Sequence, residues 1–384
     1  MRQFLCSIII LTCLYFGVEQ RTTAQDSSRL RISLLTCTPG DELYAIFGHS
    51  ALRVIDSNSV TDYVYNYGTF NFNDEGFYIK FTRGKLMYYI SIERFDDFQY
   101  SYQSWGREMT EQLLNLTAEE KKNIQRALFE NLKEENKYYK YDFFFDNCTT
   151  RLRDLILKYK KPSPQLPAVM PENTRFRQAI HQYLDKGEQY WSKLGIDILL
   201  GARTDRIMTP AEQQFLPDNL MVALDSSRNG NIILQSKKLY TLPERPSAKT
   251  WFTPMVFFCF LLGIVFAFSF SKKSFIQSFL NRLDGLLFFL TGALGIILLL
   301  MWFATDHSMT KDNYNLLWAW PFHAVMAFFI NSSKPFVKKY LLATILFYGL
   351  VILAWFFLPQ QLNNALLPFV LLLLFRAAIR YNRN

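Results

Sequence analysis

The stretch LLFFLTGALGIILLLMWFA, residues 286–304, holds one hydroxyl side chain and no charge over a length at which a helix crosses a hydrocarbon core. A buried helix of a soluble protein is the alternative, but such helices usually keep a polar face and this stretch has none. Outward from it, the run fills out to 283–303, and apolar segments of spanning length recur at 252–270, 314–331, 340–358 and 362–379. The composition changes abruptly after Lys249. Residues 251–384 therefore read as an α-helical membrane domain of five transmembrane helices.

At the other end, Arg2 precedes an apolar run from Phe4 to Val18, and the small residues Thr22-Thr23-Ala24 stand before Gln25 and Asp26. This pattern predicts a cleaved signal peptide over residues 1–24; a retained anchor is the alternative, for which the run is short. Residues 25–250 are then exported. Insertion holds Lys and Arg on the cytoplasmic side. Lys272, Lys273 and Arg282 fall between spans one and two, Lys334, Lys338 and Lys339 between three and four, and Arg376, Arg380 and Arg383 after five, nine residues against Lys311 alone in the opposite loops. The expected placement is multi-pass in a bacterial inner membrane, with a periplasmic N-terminal domain and a cytoplasmic C-terminus. These loops explain most of the net charge of +9, which need not imply nucleic acid.

Within the exported region, Ile46–Ile55, Tyr63–Phe72, Phe77–Phe81 and Lys85–Ile92 alternate as strands, and Pro39-Gly40, Asp56-Ser57-Asn58 and Arg83-Gly84 supply turn chemistry. Thr117-Ala118-Glu119-Glu120 is a capping box opening a helix to about Asn136. Leu152, Leu155 and Ile156 at helical spacing put Cys148 at a helix start. Helical pieces broken by proline follow at 173–183, 190–200 and 210–215. The fold class is thus α+β followed by membrane helices.

Of five cysteines, Cys6 and Cys13 lie in the signal and Cys259 in the first span, so Cys37 and Cys148 alone reach the exported domain and allow neither a disulfide framework nor a zinc site. A thiol at a helix N-terminus meets the positive end of the helix dipole and unpaired N–H groups, which favour thiolate and can hold an oxyanion. His49, in Phe47-Gly48-His49-Ser50, is the candidate base. Cysteine with a separated histidine suits acyl transfer. An inert buried thiol and a Cys37–Cys148 disulfide remain open, as does a core role for His49. His181 reads as a solvated face residue. Met87 to Ile90, Phe95, Phe98, Tyr100, Tyr102, Trp105 and Phe143 to Phe145 offer apolar surface for an acyl chain, or simply a core. Asp306, His307, Asn313, Asn315, Trp318, Trp320 and His323 form a polar and aromatic group expected at the outer membrane face. His307, Asn313 and Asn315 are the candidates there for holding substrate, and an interfacial belt is the alternative reading of the tryptophans.

Several blocks together resemble one family. Leu34-Leu35-Thr36-Cys37-Thr38-Pro39-Gly40, Tyr44 to Val54, Tyr65-Asn66-Tyr67-Gly68-Thr69-Phe70 and Asp146-Asn147-Cys148-Thr149-Thr150-Arg151 are similar to signature blocks of the Lnb family, the lipoprotein N-acyltransferases of Bacteroidota. Leu194 to Gly201, Phe215-Leu216-Pro217-Asp218 and Asn313 to Ala319 match as well, with the five-span tail. The resemblance implies a circularly permuted papain-like (NlpC/P60-like) periplasmic domain with Cys148 as nucleophile and His49 as base. It also implies an acyl chain moving from a membrane phospholipid, through a Cys148 thioester, to the α-amine of diacylated lipoproteins. No cofactor is called for. A third residue should orient the imidazole: Asn66 is the first candidate and Asp62, on the same strand face, the second. A membrane-anchored peptidase or amidase acting on cell-wall peptide, and a non-enzymatic binding domain, are the competing readings.

Overall fold

A computed structural model describes residues 28–229, 231–243 and 250–383; the signal read at 1–24 lies outside them. Seven strands, β1 Leu30–Cys37, β2 His49–Asp56, β3 Thr61–Thr69, β4 Met87–Arg94, β5 Met109–Leu114, β6 Tyr138–Lys140 and β7 Ile233–Tyr240, form one antiparallel sheet in the order β6-β4-β3-β2-β1-β5-β7. The period-two alternation decides the layering. Ile32, Leu34, Leu52, Val54, Tyr65 and Tyr67 face the helices Ala118–Leu132 and Cys148–Tyr159. Leu35, Cys37, Ala51 and Val64 face the helix Phe95–Ser104. The expected α+β class holds, with the sheet domain first and apolar helices after it.

Thr117 caps the helix Ala118–Leu132 and Glu120 completes the box. One strand expectation fails. Residues 77–81 form the helix Phe77–Thr82 after Gly76, which sits at φ 68°. Phe77 and Phe81 stack at 6.1 Å, an i, i+4 pair that the alternating sequence conceals. The strand β7 was not anticipated in a region that otherwise reads as helical.

In the C-terminal half, Ser274–Phe303, Pro335–Ala354 and Asn364–Arg383 are long and apolar enough to cross a membrane, and Pro254–Ser269 is apolar but shorter. The predicted span 314–331 is not one helix. It consists of a 3-10 turn, Tyr314–Leu317, then Pro321 and the short helix Phe322–Met326. Non-helical backbone at membrane depth survives only where protein covers it. Here a Cβ on Gly295 would lie 2.0 Å from the Ala319 carbonyl oxygen and one on Gly292 2.0 Å from the Ala324 nitrogen, so the long helix backs directly onto the break. Tyr348 donates its hydroxyl to the Trp318 carbonyl at 2.6 Å.

Arg376 and Arg380, counted above as loop charges, are instead buried in the helix Leu367–Arg383 and both hold Asp284 of the long helix, Arg376 through two bonds at 2.6 and 2.8 Å. Their charge is met within the bundle, where an unpaired one would be costly. The positive-inside argument then rests on Lys272, Lys273 and Lys334 between helices and on Arg282, Lys338, Lys339 and Arg383 near helix ends.

The two halves are joined around Asp197, in the helix Tyr190–Leu199. It accepts from the fully buried Arg177 at 2.8 Å, contacts His181 Nε2 at 2.8 Å and accepts from Asn363 of the membrane half at 2.8 Å. His181 is therefore a partnered, mostly buried residue rather than a solvated one. Next to it, a Cβ on Gly201 would overlap the Lys311 carbonyl oxygen at 1.8 Å.

Candidate active site

Asn147 starts the helix Cys148–Tyr159. Its side-chain oxygen accepts from the Thr149 and Thr150 amides at 2.8 and 2.9 Å, and Thr150 Oγ1 accepts from the Asn147 amide at 2.9 Å. This reciprocal cap takes the amides of residues 149 and 150 and does not take that of Cys148 in the same first turn. The Asn147 side-chain nitrogen Nδ2 donates to the Phe143 and Phe215 carbonyls at 2.7 and 2.9 Å, so the capping side chain is itself held in place.

Ser50 and Thr149 share a hydroxyl–hydroxyl bond at 3.1 Å, which pins the helix start to β2 one residue beyond His49. Gly48 precedes it at φ 80°, where a Cβ would stand 2.8 Å from the Cys37 carbonyl oxygen. Only glycine fits that turn. Gly68 at φ 88° passes beside Cys148: a Cβ there would lie 3.6 Å from Cys148 Cβ.

His49 Nε2 meets Asn66 Oδ1 at 3.1 Å, and Asn66 Nδ2 donates to Glu93 at 2.7 Å. The register explains the line: Val64 pairs with Glu93, so Asn66, two residues on, shares its face and sits on the diagonal. Asp62 does not join it; Arg53 holds it at 2.6 and 2.9 Å. Burial alone would push the Cys148 thiol up, but the His49 charge and hydrogen bond, with help from the Ser50 backbone and Thr149 hydroxyl, bring it down to about 7. For His49, burial works to lower the imidazole and is outweighed by Cys148 and Asn66, so it rises above its ordinary value. Burial and then the Asp97 charge raise Glu93, against the opposing pull of His49 and Asn66.

Cys37 and Cys148 are both free thiols, and burial pushes Cys37 up to about 12. Cys37 is thus held as the neutral thiol while Cys148 is drawn toward thiolate. Tyr139, which sequence reasoning passed over, is buried, and its hydroxyl, which finds no acceptor among the described residues, lies against the Gly68 backbone beside Cys148. Glu93 was passed over as well; only the strand register points to it.

The membrane-side candidates are elsewhere. Asn313 donates to the Ile198 and Leu199 carbonyls at 2.8 and 3.1 Å, and Asn315 donates to those of Asp197 and Ile198 at 3.0 and 3.2 Å. Both are buried and cap the end of the helix Tyr190–Leu199. His307 contacts the Phe81 carbonyl through Nε2 at 3.1 Å. None of the three is brought to Cys148 by the contacts it makes.

Residues 18–181 match the model of the Lnb N-terminal periplasmic domain, and residues 246–383 match that of the Lnb transmembrane domain. No curated protein and no solved structure gives a significant match.

Proposed function

Since the chain belongs to the Lnb family, a family of membrane proteins with a periplasmic domain, we propose that it is a lipoprotein N-acyltransferase with a circularly permuted papain-like catalytic domain. One observation carries this reading: a cysteine on a capped helix N-terminus, poised near neutrality by a histidine that an asparagine orients, in a chain built onto a membrane bundle. In this reading residues 1–24 are the signal, 25–250 the catalytic domain and 251–384 the five-segment membrane domain, with the C-terminus in the cytoplasm.

The Cys148 thiolate attacks an ester carbonyl of a membrane phospholipid. The Cys148 amide stabilises the oxyanion, the ester C–O bond breaks, and protonated His49 gives its proton to the leaving lysophospholipid. The free α-amine of a diacylglyceryl-cysteine then attacks the thioester. His49 takes the amine proton, the C–S bond breaks, and the amide forms as the thiolate–imidazolium pair is restored. No cofactor enters either step.

The test is mass spectrometry of a reporter lipoprotein from a host lacking its own N-acylation. With this chain the reporter becomes triacylated and lysophospholipid accumulates; with Cys148→Ala it stays diacylated. A reporter left diacylated by the intact, membrane-inserted protein would overturn the assignment and leave the cell-wall amidase to be tried.

A further inference from the structure

A file of aromatic rings runs from Cys148 to the membrane half, and the acyl-transfer geometry above makes no use of it. The space a Gly68 side chain would fill lies 3.6 Å from Cys148 Cβ, 3.7 Å from the Tyr141 ring and 4.0 Å from the Tyr139 hydroxyl, so Cys148 and the Tyr141 ring flank one small space that glycine leaves without a side chain of its own. Tyr141 stacks on Tyr88 at 4.3 Å, Tyr88 meets Phe70 at 5.2 Å, Phe70 meets Phe77 at 6.0 Å, and Phe77 stacks on Phe81 at 6.1 Å.

The far end of the file is tied to the membrane domain. The Phe81 carbonyl accepts from His307, the Arg83 carbonyl accepts from the Asp306 amide at 3.0 Å, and Lys140 pairs with Asp306 at 2.6 Å. Asp306 and His307 follow the end of the Ser274–Phe303 helix within a few residues, so these bonds fix Phe81 at the level of the membrane surface. The helix Phe77–Thr82 also presents large apolar side chains outward: Tyr78 is 78%, Ile79 68% and Phe81 52% exposed. A patch of this kind, continuous with membrane-crossing helices, finds its cover in lipid.

We propose that the file Tyr141, Tyr88, Phe70, Phe77 and Phe81 is the track for one acyl chain of a membrane glycerophospholipid, its ester carbonyl at Cys148 and its tail toward the bilayer. The exposed side of Phe77–Thr82 rests in the lipid surface and opens the track to it. Uncharged rings in series offer a saturated chain apolar contact along their edges, and Gly68 adds no side chain of its own at the Cys148 end. This deepens the acyltransferase reading and rests on it for the identity of the reaction.

The test uses the full-length protein in phosphatidylethanolamine–phosphatidylglycerol vesicles doped with a phosphatidylglycerol carrying a diazirine midway along one acyl chain. After illumination, peptide mass spectrometry is expected to find label on Phe70, Phe77 or Tyr88, in the wild type and in Cys148→Ala alike. Phe70→Ala and Tyr88→Leu should each slow lysophospholipid release from long-chain donors about tenfold while altering transfer from a water-soluble acetyl thioester less than about twofold. Label confined to the membrane helices, with Cys148 still acylated, overturns the track and leaves the acyltransferase intact. Label on the file with no acyl adduct on Cys148 upholds lipid binding there and overturns the reaction instead. Equal slowing with both donors would make the rings structural and end the proposal.

Discussion

Glu93 accepts a hydrogen bond from the Asn66 amide nitrogen at 2.7 Å, and that contact decides how the His49 imidazole is held. A carboxylate can only accept, so the Asn66 nitrogen must face Glu93 and its oxygen must face His49. The histidine then presents a donor at Nε2, which in the proposed mechanism assigns the proton exchange with Cys148 to Nδ1.

Removing the acceptor frees the amide to turn. Glu93→Leu is therefore expected to slow Cys148 acylation roughly 10- to 100-fold, the range for losing a group that orients another. Asn66→Ala should cost a similar or larger factor, and the double variant no more than Asn66→Ala alone, because both act through one imidazole. Multiplying effects in single-turnover assays would show that Glu93 acts on something other than Asn66.

The Cys148 thiol, held at about 7, predicts the pH dependence of its alkylation. His49 is the principal cause that lowers it, so thiolate fills as pH rises through about 7 in the wild type and only at higher pH in His49→Ala. Iodoacetamide labelling rates read this directly. An unshifted midpoint in His49→Ala would assign the lowering to the helix start, the Ser50 backbone and the Thr149 hydroxyl.

Part of this line could be read from residues alone. The helix start at Cys148 and the capping box at Thr117 are local patterns, and local chemistry survives into the fold. His49, Asn66 and Cys148 come together as their strand and helix placements suggest. Glu93 required the β3–β4 register, a tertiary fact. Phe77–Phe81 misread because an alternating stretch of aromatics also satisfies i, i+4 stacking in a helix. The 314–331 segment is apolar enough to span, but two glycines on a neighbouring helix and the proline at position 321 let it break under cover of protein. Asn313 and Asn315 look like ligand-binding amides in sequence; whether an amide faces a ligand or a carbonyl is settled by what packs beside it.

Asp197 links Arg177, His181 and Asn363 across the junction of the halves. Among the described residues Asp197→Ala leaves buried Arg177 with Asp205 as its carboxylate partner, so the expected loss is about 2–3 kcal/mol, less than for a buried charge left with none. Burial works to raise the Asp197 carboxyl, but His181 and Arg177 hold it below its ordinary value. Its contribution is thus complete above the ordinary carboxylate range and is lost as pH falls below it. Denaturation of the detergent-solubilised protein should show the acid-side loss in wild type and its reduction in Asp197→Ala; parallel curves would place the acid sensitivity elsewhere.

The Tyr139 hydroxyl supplies the sharpest separation of stability from catalysis. It is buried beside the Gly68 backbone and Cys148, and its proton has no acceptor among the described residues, a state that costs free energy in the resting protein. Such a donor is useful where negative charge appears only during reaction, and the carbonyl oxygen of a substrate bound at Cys148 becomes that charge. Tyr139→Phe removes the hydroxyl and keeps the ring under the Arg151 guanidinium, which lies 3.5 Å from it. The resting protein should melt at the same temperature or slightly higher, because an unsatisfied polar group has gone. Acylation of Cys148 should slow by roughly 100-fold, the scale for losing one oxyanion donor, with thiol alkylation by iodoacetamide unchanged since that reaction builds no oxyanion. A drop in alkylation as well would mean that the hydroxyl tunes the thiolate. A lowered melting temperature with normal acylation would return Tyr139 to the core.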